Sequence, residues 1–430
     1  MTPMDRDGDL LADLGARGLL HDTTDPVALA TRLASGPIGV YVGFDPTADS
    51  LHVGHLVGQM MLRRFQVAGH RPFPLAGGAT GMVGDPGGRS EERNLLDLDT
   101  LRHNVERIKV QLARLLDFEP GPYQATMVNN ADWTEPIGVL TFLREVGKHF
   151  TINQMVARDS VRSRMASENG ISYTEFSYML LQAFDFRVLY ERHGVEMQMG
   201  GSDQWGNIVS GIDLIRRAHG AEAYAITHPL IMKADGTKFG KSAAGSVWLD
   251  PDKTSPYEFR QFWMQTGDDE VERLLLWLTL EPVTEVTALL EAHGAAPEQR
   301  LAQKRLAALM TGLVHGDAAS RAAEDAAGVL FGGDPSSATA AVLATIAGEV
   351  GTTFVSVDDL ATLPALLVRT GLCATTSEAR RTLDQRGITV NGHTVDGSSE
   401  IDRAQLLHGR YALLRRGRKS YHVVEVSPPS

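Results

Sequence analysis

Cysteine, long apolar runs and a basic N-terminus are absent or nearly so from this chain of 430 residues. The single cysteine, Cys373, excludes a disulfide framework. No uninterrupted apolar run approaches the roughly 18 residues of a membrane span, and the first ten residues, MTPMDRDGDL, lack the basic and apolar regions of a secretory signal. We therefore expect a cytoplasmic protein with no membrane partner.

Positive charge is also scarce, with 41 Lys and Arg against 53 Asp and Glu, a net charge of −12. That balance alone argues against nucleic acid, because phosphate contacts need Lys and Arg. The distribution changes this interpretation. Residues 361–430 hold ten basic and six acidic side chains, a charge of +4 that leaves −16 for residues 1–360. A basic C-terminal module on an acidic body indicates an RNA or DNA contact at one end.

The chain does contain enough apolar sequence to fold. With 43% hydrophobic and 22% charged residues it is not a disordered chain, and its length allows two to four domains. In the first half, strands are predicted at 38–44, 73–76, 125–129 and 195–199, and a helix at 51–68. This alternation predicts an α/β fold with a mainly parallel, doubly wound sheet, in which ligands bind beyond the carboxyl ends of the strands.

The second half of the chain has a different pattern. Leucine and alanine runs between Pro256 and Phe331 predict a small helical domain. The stretch GGDPSSATAA that follows is small, polar and rich in glycine and proline, so we place the start of a flexible connection there. The last seventy residues predict a compact module of two helices and short strands.

Two histidines follow the first predicted strand, in FDPTADSLHVGHL. We expect Asp49 or Ser50 to cap the next helix, which would place His52 and His55 on one face of its first two turns. A helix N-terminus attracts anions, and two imidazoles there add donors to a phosphate, while the small Gly54 lets a nucleotide approach. Two partly exposed helix histidines are an equally good explanation. A zinc pair is a weak one, because no HExxH carboxylate accompanies them.

A lysine-rich stretch, MKADGTKFGKSAAG, suits a mobile polyphosphate-binding loop that uses Lys238 and Lys241. It is not a P-loop, because only three residues separate Gly236 from Gly240. A solvated surface loop stays open as the alternative. The glycine-rich turn GGATGMVGDPGGR contains Asp85, whose carboxylate could meet an ammonium group or simply bond its own backbone.

The stretch from Tyr173 to His193 carries the most informative pattern. As a helix it would be apolar nearly all round, with Tyr178, Gln182 and Asp185 in one polar stripe. Buried polar groups need partners, so the stripe predicts a site for a small polar ligand, with a solvated face as the alternative.

Seven segments, taken in order, resemble the signatures of the bacterial tyrosyl-tRNA synthetases, a family of class I aminoacyl-tRNA synthetases. They are YVGFDPTADSLHVGHL, GGATGMVGDP, NNADW, TFLREVGKHF, YTEFSYMLLQAFDF, GGSDQWGN and KADGTKFGKS. HVGH is similar to the HIGH motif of that class, and KFGKS is similar to its KMSKS loop. The match runs from about Tyr41 to Arg260, and the tail resembles an S4-type RNA-binding domain.

The resemblance implies four regions. They are a Rossmann-like catalytic domain over 1–235 with a dimer-interface insertion at about 118–200, a KFGKS loop and α-helical anticodon-side domain over 236–331, a linker over 332–360 and a small α+β S4-like domain over 361–430. The implied reaction activates L-tyrosine with ATP and Mg²⁺, without a tightly bound protein metal, and transfers it to tRNA(Tyr). The resemblance also implies a homodimer that binds tRNA across subunits, through the segment around Phe118 to Arg158 and the tail.

Roles for single residues follow from the resemblance. Tyr41 and Asp185 would hold the phenol of the substrate tyrosine, and Asp85, Tyr178 and Gln182 its ammonium group. The positions matching ATP contacts are Gly43, Asp45, Thr47, His52, Gly54, His55, Gly201, Asp203 and Lys241. The positions matching residues that stabilise the reacting phosphates are His52, His55, Lys238, Lys241 and Ser242. The positions matching tRNA contacts are Arg89, Arg93, Arg216, Arg415, Arg416, Arg418 and Lys419.

Three positions depart from the family pattern. Gly58 stands where relatives often carry a ribose-contacting threonine, so we expect that contact to be missing or made by water. Arg89 replaces a familiar lysine, which keeps the charge and changes the donor geometry, and Ala131 replaces an aromatic residue. Two alternative functions are a tryptophanyl-tRNA synthetase, which the phenol-binding pair disfavours, and a noncatalytic RNA-binding paralogue, which the intact HVGH and KFGKS motifs disfavour.

Overall fold

The computed structural model describes residues 10–85, 96–166, 170–232, 239–242, 245–356, 360, 362–399 and 401–426, with the backbone alone for residues 159, 160, 241 and 242. It forms two compact units, Met1–Thr254 with Gln265–Leu306, and Ser255–Met264 with Ala307–Ser430. The predicted helical domain over 236–331 is thus divided between the two units. The other predicted domain boundaries stay predictions.

Six strands form the sheet of the first unit, in the order β1-β6-β5-β2-β3-β4. They are β1 (Asp22–Thr23), β2 (Gly39–Phe44), β3 (Arg71–Ala76), β4 (Val128–Asn129), β5 (Val195–Gly201) and β6 (Tyr224–His228). β2 pairs in parallel with β3 on one side and with β5 on the other, whereas the edge strand β1 runs antiparallel to β6. The mainly parallel, doubly wound sheet is therefore confirmed. Its connections reverse direction at β2, and a crevice forms beyond the carboxyl ends of strands at such a reversal.

Helices cover this sheet and extend the first unit. They are α1 (Leu10–Ala16), α2 (Pro26–Ala34), α3 (Leu56–Val67), α4 (Leu98–Leu115), α5 (Ala131–Thr134), α6 (Val139–Glu145), α7 (Ile152–Val156), α8 (Asp159–Met165), α9 (Tyr173–His193) and α10 (Trp205–His219). A short hairpin, β7 (Lys241–Ser242) and β8 (Gly245–Ser246), follows the sheet. One buried apolar cluster joins the sheet to α9 and α10 and includes Tyr41, Phe73, Phe184 and Leu214.

The remaining helices are divided between the two units. They are α11 (Pro256–Met264), α12 (Asp268–Leu278), α13 (Val283–Ala295), α14 (Leu301–His315), α15 (Asp317–Leu330) and α16 (Ala340–Val350). In the first unit, α12 packs on α3, and Arg64 of α3 donates to the carbonyl oxygen of Leu276 in its last turn. Helix C-termini leave such carbonyls unsatisfied, so a buried guanidinium stabilises this end.

The C-terminal part of the second unit is a five-stranded sheet in the order β11-β10-β12-β13-β9. Its elements are β9 (Thr352–Val355), α17 (Leu363–Arg369), α18 (Thr376–Asp384), β10 (Ile388–Val390), β11 (His393–Val395), β12 (Tyr411–Arg416) and β13 (Ser420–Val426). Side chains alternate across β12: Ala412 and Leu414 join the core under α17 and α18, whereas Tyr411 and Leu413 pack towards α15 and α16.

The prediction of a flexible connection over 332–360 is wrong for the described part of that range. Helix α16 buries Val342, Leu343 and Ile346, and β9 pairs in parallel with β13 at the edge of the sheet. The glycine- and proline-rich residues end at about 337, and the apolar spacing after them is that of an amphipathic helix. No helix in the described ranges is long and apolar enough to cross a lipid bilayer.

Candidate active site

A cavity of about 430 Å³ opens where β2, β3 and β5 end. Thirteen of the residues predicted for the site line it: Tyr41, Gly43, Asp45, Thr47, His52, Gly54, His55, Asp85, Tyr178, Gln182, Asp185, Gly201 and Asp203. They come from five separate stretches of sequence. The fold therefore brings the predicted tyrosine-binding and ATP-binding residues together around one space.

Other predicted residues do not line the cavity. Lys238, Arg89 and Arg93 lie outside the described residues. The backbone of Lys241 and Ser242 forms β7, and their side chains are not described. Arg216 is exposed on α10 and pairs with Asp213 at 2.9 Å.

One end of the cavity is formed by Tyr41 and Asp185, which are 1% and 2% exposed. Tyr41 lies on β2, where its ring packs 5.3 Å from that of Phe186. Its hydroxyl oxygen is buried and has no hydrogen-bond partner among the described residues. Because an unpaired buried hydroxyl destabilises a fold, this atom marks a position where a ligand atom is expected.

Asp185 is held by two donors that the sequence analysis did not assign. Asn130 Nδ2 donates to Asp185 Oδ2 at 2.9 Å, and Trp133 Nε1 donates to Oδ1 at 2.8 Å. Burial raises the pKa of Asp185 to about 7, and the two hydrogen bonds oppose that rise because they stabilise the carboxylate. The NNADW segment that supplies both donors begins at the last residue of β4, at the carboxyl end of the sheet, and that position was the available signal.

Asn130 also connects Asp185 to the glycine-rich turn after β3. Its Oδ1 accepts from the backbone of Ala79 at 2.7 Å, and its Nδ2 also donates to Thr80 Oγ1 at 3.0 Å. Thr80 Oγ1 in turn donates to Asp45 Oδ1 at 2.8 Å. A Cβ at Gly77 would collide with both Asp45 Oδ1 and Thr80 Oγ1, which explains the glycine at that position. The Asp185 end and the middle of the cavity thus share one polar network.

The middle of the cavity is acidic. Tyr178 Oη donates to Asp45 Oδ2 at 3.0 Å, and Asp85 Oδ2 accepts from Gln204 Nε2 at 2.6 Å. Burial, together with the carboxylates of Asp45 and Asp85, raises the pKa of Tyr178 well above its usual value. Gln182 Oε1 is buried with no hydrogen-bond partner among the described residues. Carboxylates and an unpaired acceptor suit a cationic ligand group. Gln204 was not assigned a role from sequence.

The HVGH turn forms the other end of the cavity, and its capping differs from the prediction. Val53–His55 form a 3₁₀ turn before α3, so the predicted helix over 51–68 starts later and neither Asp49 nor Ser50 caps it. His52 is itself the cap: its Nδ1 accepts from the backbone of Gly54 at 3.0 Å, and His55 Nδ1 accepts from the backbone of His52 at 3.1 Å. A Cβ at Gly54 would lie 2.7 Å from the His52 ring, so this glycine makes room for the imidazole.

These two bonds determine which nitrogen of each imidazole carries hydrogen. A ring nitrogen that accepts from a backbone N–H holds no hydrogen, so the neutral tautomer of both histidines carries it on Nε2. Burial and the neighbouring His52 lower the pKa of His55 to about 3, which keeps it neutral at physiological pH. The rings lie 4.1 Å apart. Both rings line the cavity, so the turn offers it Nε2–H donors, that of His55 in its neutral form, which is a suitable arrangement for phosphate oxygens.

The basic residues predicted in the tail have different surroundings. Arg416 donates to Glu378 at 2.7 Å and to the carbonyl oxygen of Leu372. Arg415 lies over the ring of Tyr421, 5.3 Å from its centroid. Arg418 and Lys419 are exposed in the turn between β12 and β13.

No group of three or more His, Cys, Asp or Glu side chains in the described ranges is arranged to hold a metal ion.

Comparisons with known proteins cover nearly all of the chain. The family "tRNA synthetases class I (W and Y)" matches residues 33–332, and the "Tyrosine--tRNA ligase SYY-like C-terminal domain" matches residues 343–424. The chain is 50% identical to the Tyrosine--tRNA ligase of Opitutus terrae over 97% of this chain and 99% of that protein. It is 48% identical to that of Yersinia enterocolitica over 97% and 98%. A C-terminally truncated mitochondrial tyrosyl-tRNA synthetase of Aspergillus nidulans has a TM-score of 0.69 and 31% identity, covering 76% of this chain and 95% of that structure.

Proposed function

Because the chain belongs to the class I tRNA synthetases, as a tyrosine–tRNA ligase, we propose how the residues of its cavity divide the work of that reaction. The reaction has two steps. ATP and L-tyrosine give tyrosyl-adenylate and pyrophosphate, and the tyrosyl group then passes to the 3′-terminal adenosine of tRNA(Tyr). Neither step needs a side-chain nucleophile, so positioning and charge stabilisation carry the catalysis.

Tyr41 and Asp185 bind the phenol of the substrate. The phenol hydroxyl donates to the carboxylate of Asp185, and the hydroxyl of Tyr41, which has no partner among the described residues, pairs with the phenol oxygen. Phenylalanine would leave both groups unpaired in a buried site, which is unfavourable. Asn130 and Trp133 orient the carboxylate so that its remaining lone pairs face the cavity.

Asp85, Tyr178 and Gln182 bind the substrate ammonium group. Three N–H donors of an ammonium match a carboxylate, a phenolic oxygen and the Gln182 Oε1 that lacks a partner in the described structure. Gln204 holds Asp85 in place at 2.6 Å. With phenol and ammonium both held, the tyrosine carboxylate is directed towards the HVGH end of the cavity.

The two histidines act on the phosphates of ATP. The tyrosine carboxylate attacks the α-phosphorus, and the Nε2–H groups of His52 and His55 donate to the oxygens that gain charge in the transition state. Lys238, Lys241 and Ser242 act on the leaving pyrophosphate. Mg²⁺ arrives with ATP as part of the substrate and shares this charge. Gly43, Asp45, Thr47, Gly54, Gly201 and Asp203 form the walls around the nucleotide.

Basic residues outside the cavity bind tRNA. We assign this role to Arg89, Arg93 and Arg216 in the first unit and to Arg415, Arg416, Arg418 and Lys419 in the tail. Arg418 and Lys419 support it most directly because both are exposed. Replacing both with alanine should raise the KM for tRNA(Tyr) and reduce its salt dependence while leaving ATP–pyrophosphate exchange unchanged. Exchange that falls with the tRNA affinity would contradict the assignment.

The active form is a homodimer of the cytoplasm. Support comes from large apolar side chains on the insertion at 118–200, because exposed apolar patches mark interaction sites. They are Val139, Leu140, Leu143, Ile152, Met165 and Tyr173, each 46–82% exposed. Light scattering should find a dimer that Leu140→Asp dissociates and that Val27→Asp, an equally exposed site on α2, leaves intact. Equal behaviour of the two variants would argue against this surface.

The observation that carries the proposal is the Tyr41 hydroxyl, which has no partner in the described part of the chain, beside the carboxylate of Asp185, which is held by two donors. Its test is ATP–pyrophosphate exchange with tyrosine or phenylalanine and no tRNA. The parent protein should catalyse exchange with tyrosine and not with phenylalanine. Tyr41→Phe should reduce the preference for tyrosine by about tenfold, which corresponds to the loss of one hydrogen bond. An unchanged preference in a folded Tyr41→Phe variant would remove Tyr41 from the phenol site.

A further inference from the structure

Helix α4 carries three polar side chains on one face, at positions i, i+3 and i+7: Asn104, Arg107 and Gln111. Asn104 and Gln111 are 3% and 5% exposed, among the buried Leu101, Val105, Ile108, Leu112 and Leu115 of the same helix. Buried amides destabilise a fold unless they are hydrogen-bonded, so their partners must lie close by. We call these three residues the α4 stripe. None of them lines the cavity.

The α4 stripe holds the segment that leads from β2 into the HVGH turn. Asn104 Nδ2 donates to the carbonyl oxygen of Pro46 at 3.0 Å. Gln111 Oε1 accepts from the backbone of Leu51 at 2.8 Å, and its Nε2 donates to Ser50 Oγ at 3.1 Å. Both ends of this segment are thus attached to one rigid helix, and Leu51 immediately precedes His52.

The same stripe holds the segment that follows the KFGKS loop. Arg107 pairs with the carboxylate of Asp250, and the backbone N–H of Asp250 donates to Ser50 Oγ at 3.2 Å. Two backbone bonds join the segments directly, from Leu249 N–H to the Leu51 carbonyl at 2.9 Å and from Val53 N–H to the Val247 carbonyl at 3.0 Å. The segment returns to the loop itself, because the Val247 N–H donates to the carbonyl of Gly240 at 2.9 Å.

Gly240 explains how closely the loop base and the HVGH turn approach each other. Its φ is +83°, and a Cβ at this position would collide with the side chain of Val53. The ring of Trp248 lies edge-on to that of His52 with centroids 6.2 Å apart. A shift of either segment would therefore change the position of His52 relative to the loop.

We propose that Asn104, Arg107 and Gln111 are positioning residues for tyrosine activation. They fix the HVGH turn and the backbone at Gly240 and Val247, the base of the KFGKS loop, in one geometry, so that the His52 and His55 donors reach the triphosphate from a fixed position. This inference rests on the proposed phosphate role of His52 and His55. The stripe does not touch the tyrosine-binding end of the cavity, so its loss should slow the chemical step and leave tyrosine binding intact.

The test compares Gln111→Leu with Gln111→Glu in ATP–pyrophosphate exchange. Gln111→Leu keeps the size of the side chain and removes the acceptor for Leu51, so kcat should fall about 10- to 100-fold, the effect of a displacement of about 1 Å at a reacting centre. The Kd for tyrosine, measured by equilibrium dialysis without ATP, should stay within about twofold of the parent. Gln111→Glu retains an acceptor oxygen and should recover most of the lost kcat.

A second pair of variants covers the case in which Gln111→Leu does not fold. Arg107 is 45% exposed, so Arg107→Met should fold and lose the attachment of Asp250, whereas Arg107→Lys keeps a cation there. Arg102→Met is the matched control, because Arg102 is exposed on α4 and its one ion pair among the described residues is with Asp99. It should leave kcat unchanged.

The outcomes separate this inference from the proposed function. The positioning role of the α4 stripe would be overturned if Gln111→Leu and Arg107→Met both kept the parental kcat. It would also be overturned if tyrosine affinity fell as much as kcat, or if Gln111→Glu and Arg107→Lys recovered none of the lost kcat. His55→Ala is measured in parallel. If His55→Ala slows exchange and the stripe variants do not, the inference alone fails; if His55→Ala also has parental kcat, the phosphate role itself fails.

Discussion

The two ends of the cavity are built in opposite ways. The end proposed to bind the substrate phenol, called the phenol end below, combines β2, α5 and α9, and its central carboxylate, Asp185, is held by side chains more than fifty residues away. The end proposed to bind phosphate, called the phosphate end, is a single turn in which the imidazoles of His52 and His55 are fixed by backbone N–H groups two or three residues away. A local turn leaves a short, recognisable motif, whereas a specificity site assembled from distant segments does not.

The electrostatic logic of the two ends also differs. At the phenol end, burial raises the pKa of Asp185 to about 7, so at neutral pH this side chain is divided between its protonated acid and its carboxylate. At the phosphate end, burial lowers the pKa of His55 to about 3, so its neutral state is secure. We therefore expect binding of the amino acid to depend on pH near neutrality, whereas the charge state of the His55 donor should stay the same over that range.

The largest expected effect comes from removing the central carboxylate. Asp185→Ala takes away the acceptor for the phenol and the acceptor that Trp133 and Asn130 share, so tyrosine-dependent exchange should fall by about 1000-fold or more. Exchange kinetics and circular dichroism check the activity and the fold. Glu191→Ala, on the same helix and outside the cavity, is the control. Normal exchange in a folded Asp185→Ala would remove this carboxylate from the site.

The next effect tests the phosphate end alone. His55→Ala should lower kcat for exchange by about 100-fold, the usual loss for one donor to a developing charge, with little change in the Kd for tyrosine. His52→Ala should behave in the same way. His21→Ala, at an exposed histidine away from the cavity, should match the parent protein. A variant that loses tyrosine affinity and keeps kcat would reverse the roles given to the two ends.

A smaller effect should come from one donor to Asp185. Trp133→Phe removes the indole N–H and keeps the aromatic packing, so the Kd for tyrosine should rise about tenfold while kcat changes little. Trp277→Phe also removes a buried indole hydrogen bond, to the carbonyl of Arg17, but it lies outside the cavity and should leave tyrosine binding unchanged. Equal Kd values for the two variants would argue that Trp133 has no role in binding.

The smallest effect is the pH dependence of tyrosine binding. Because the pKa of Asp185 is raised to about 7, the carboxylate that accepts from the phenol is present above that pH and is lost as the pH falls. Affinity should therefore fall about threefold between pH 7.5 and pH 6.5, as the ionised fraction does. Asp185→Asn cannot ionise and should show a flat profile. The same slope in that variant would assign the titration to another group.

The same contrast explains how much of the molecule could be predicted from its sequence. The stretch Tyr173–His193, whose polar stripe was considered as part of a helix, has the observed bounds of α9, and the structure ends this helix at Gly194 in the left-handed conformation. Strand β2 was predicted within one residue. The site residues that share a local motif, such as His52 and His55, were found for the same reason.

Contacts across long sequence distances were not predictable in this way. Asn130, Trp133 and Gln204 act on carboxylates that only the fold brings near them. The predicted cap, Asp49 or Ser50, was wrong because the turn is capped by imidazole nitrogens, which are uncommon caps. Helix α16 was missed because a run of glycine, proline and serine directly before it dominated the interpretation of that region.

Strand β9 places the start of the C-terminal sheet upstream of residue 361, where the basic composition begins. It lies upstream of the charged residues at 361–430, yet it occupies the edge of their sheet beside β13. A fragment cut at residue 361 would lose this strand and expose the backbone of Val423–Val426 as a template for another chain. Such fragments should oligomerise or precipitate, whereas fragments that begin before α16 keep β9 and should stay monomeric, so the C-terminal sheet needs a longer stretch of chain than its charge alone suggests.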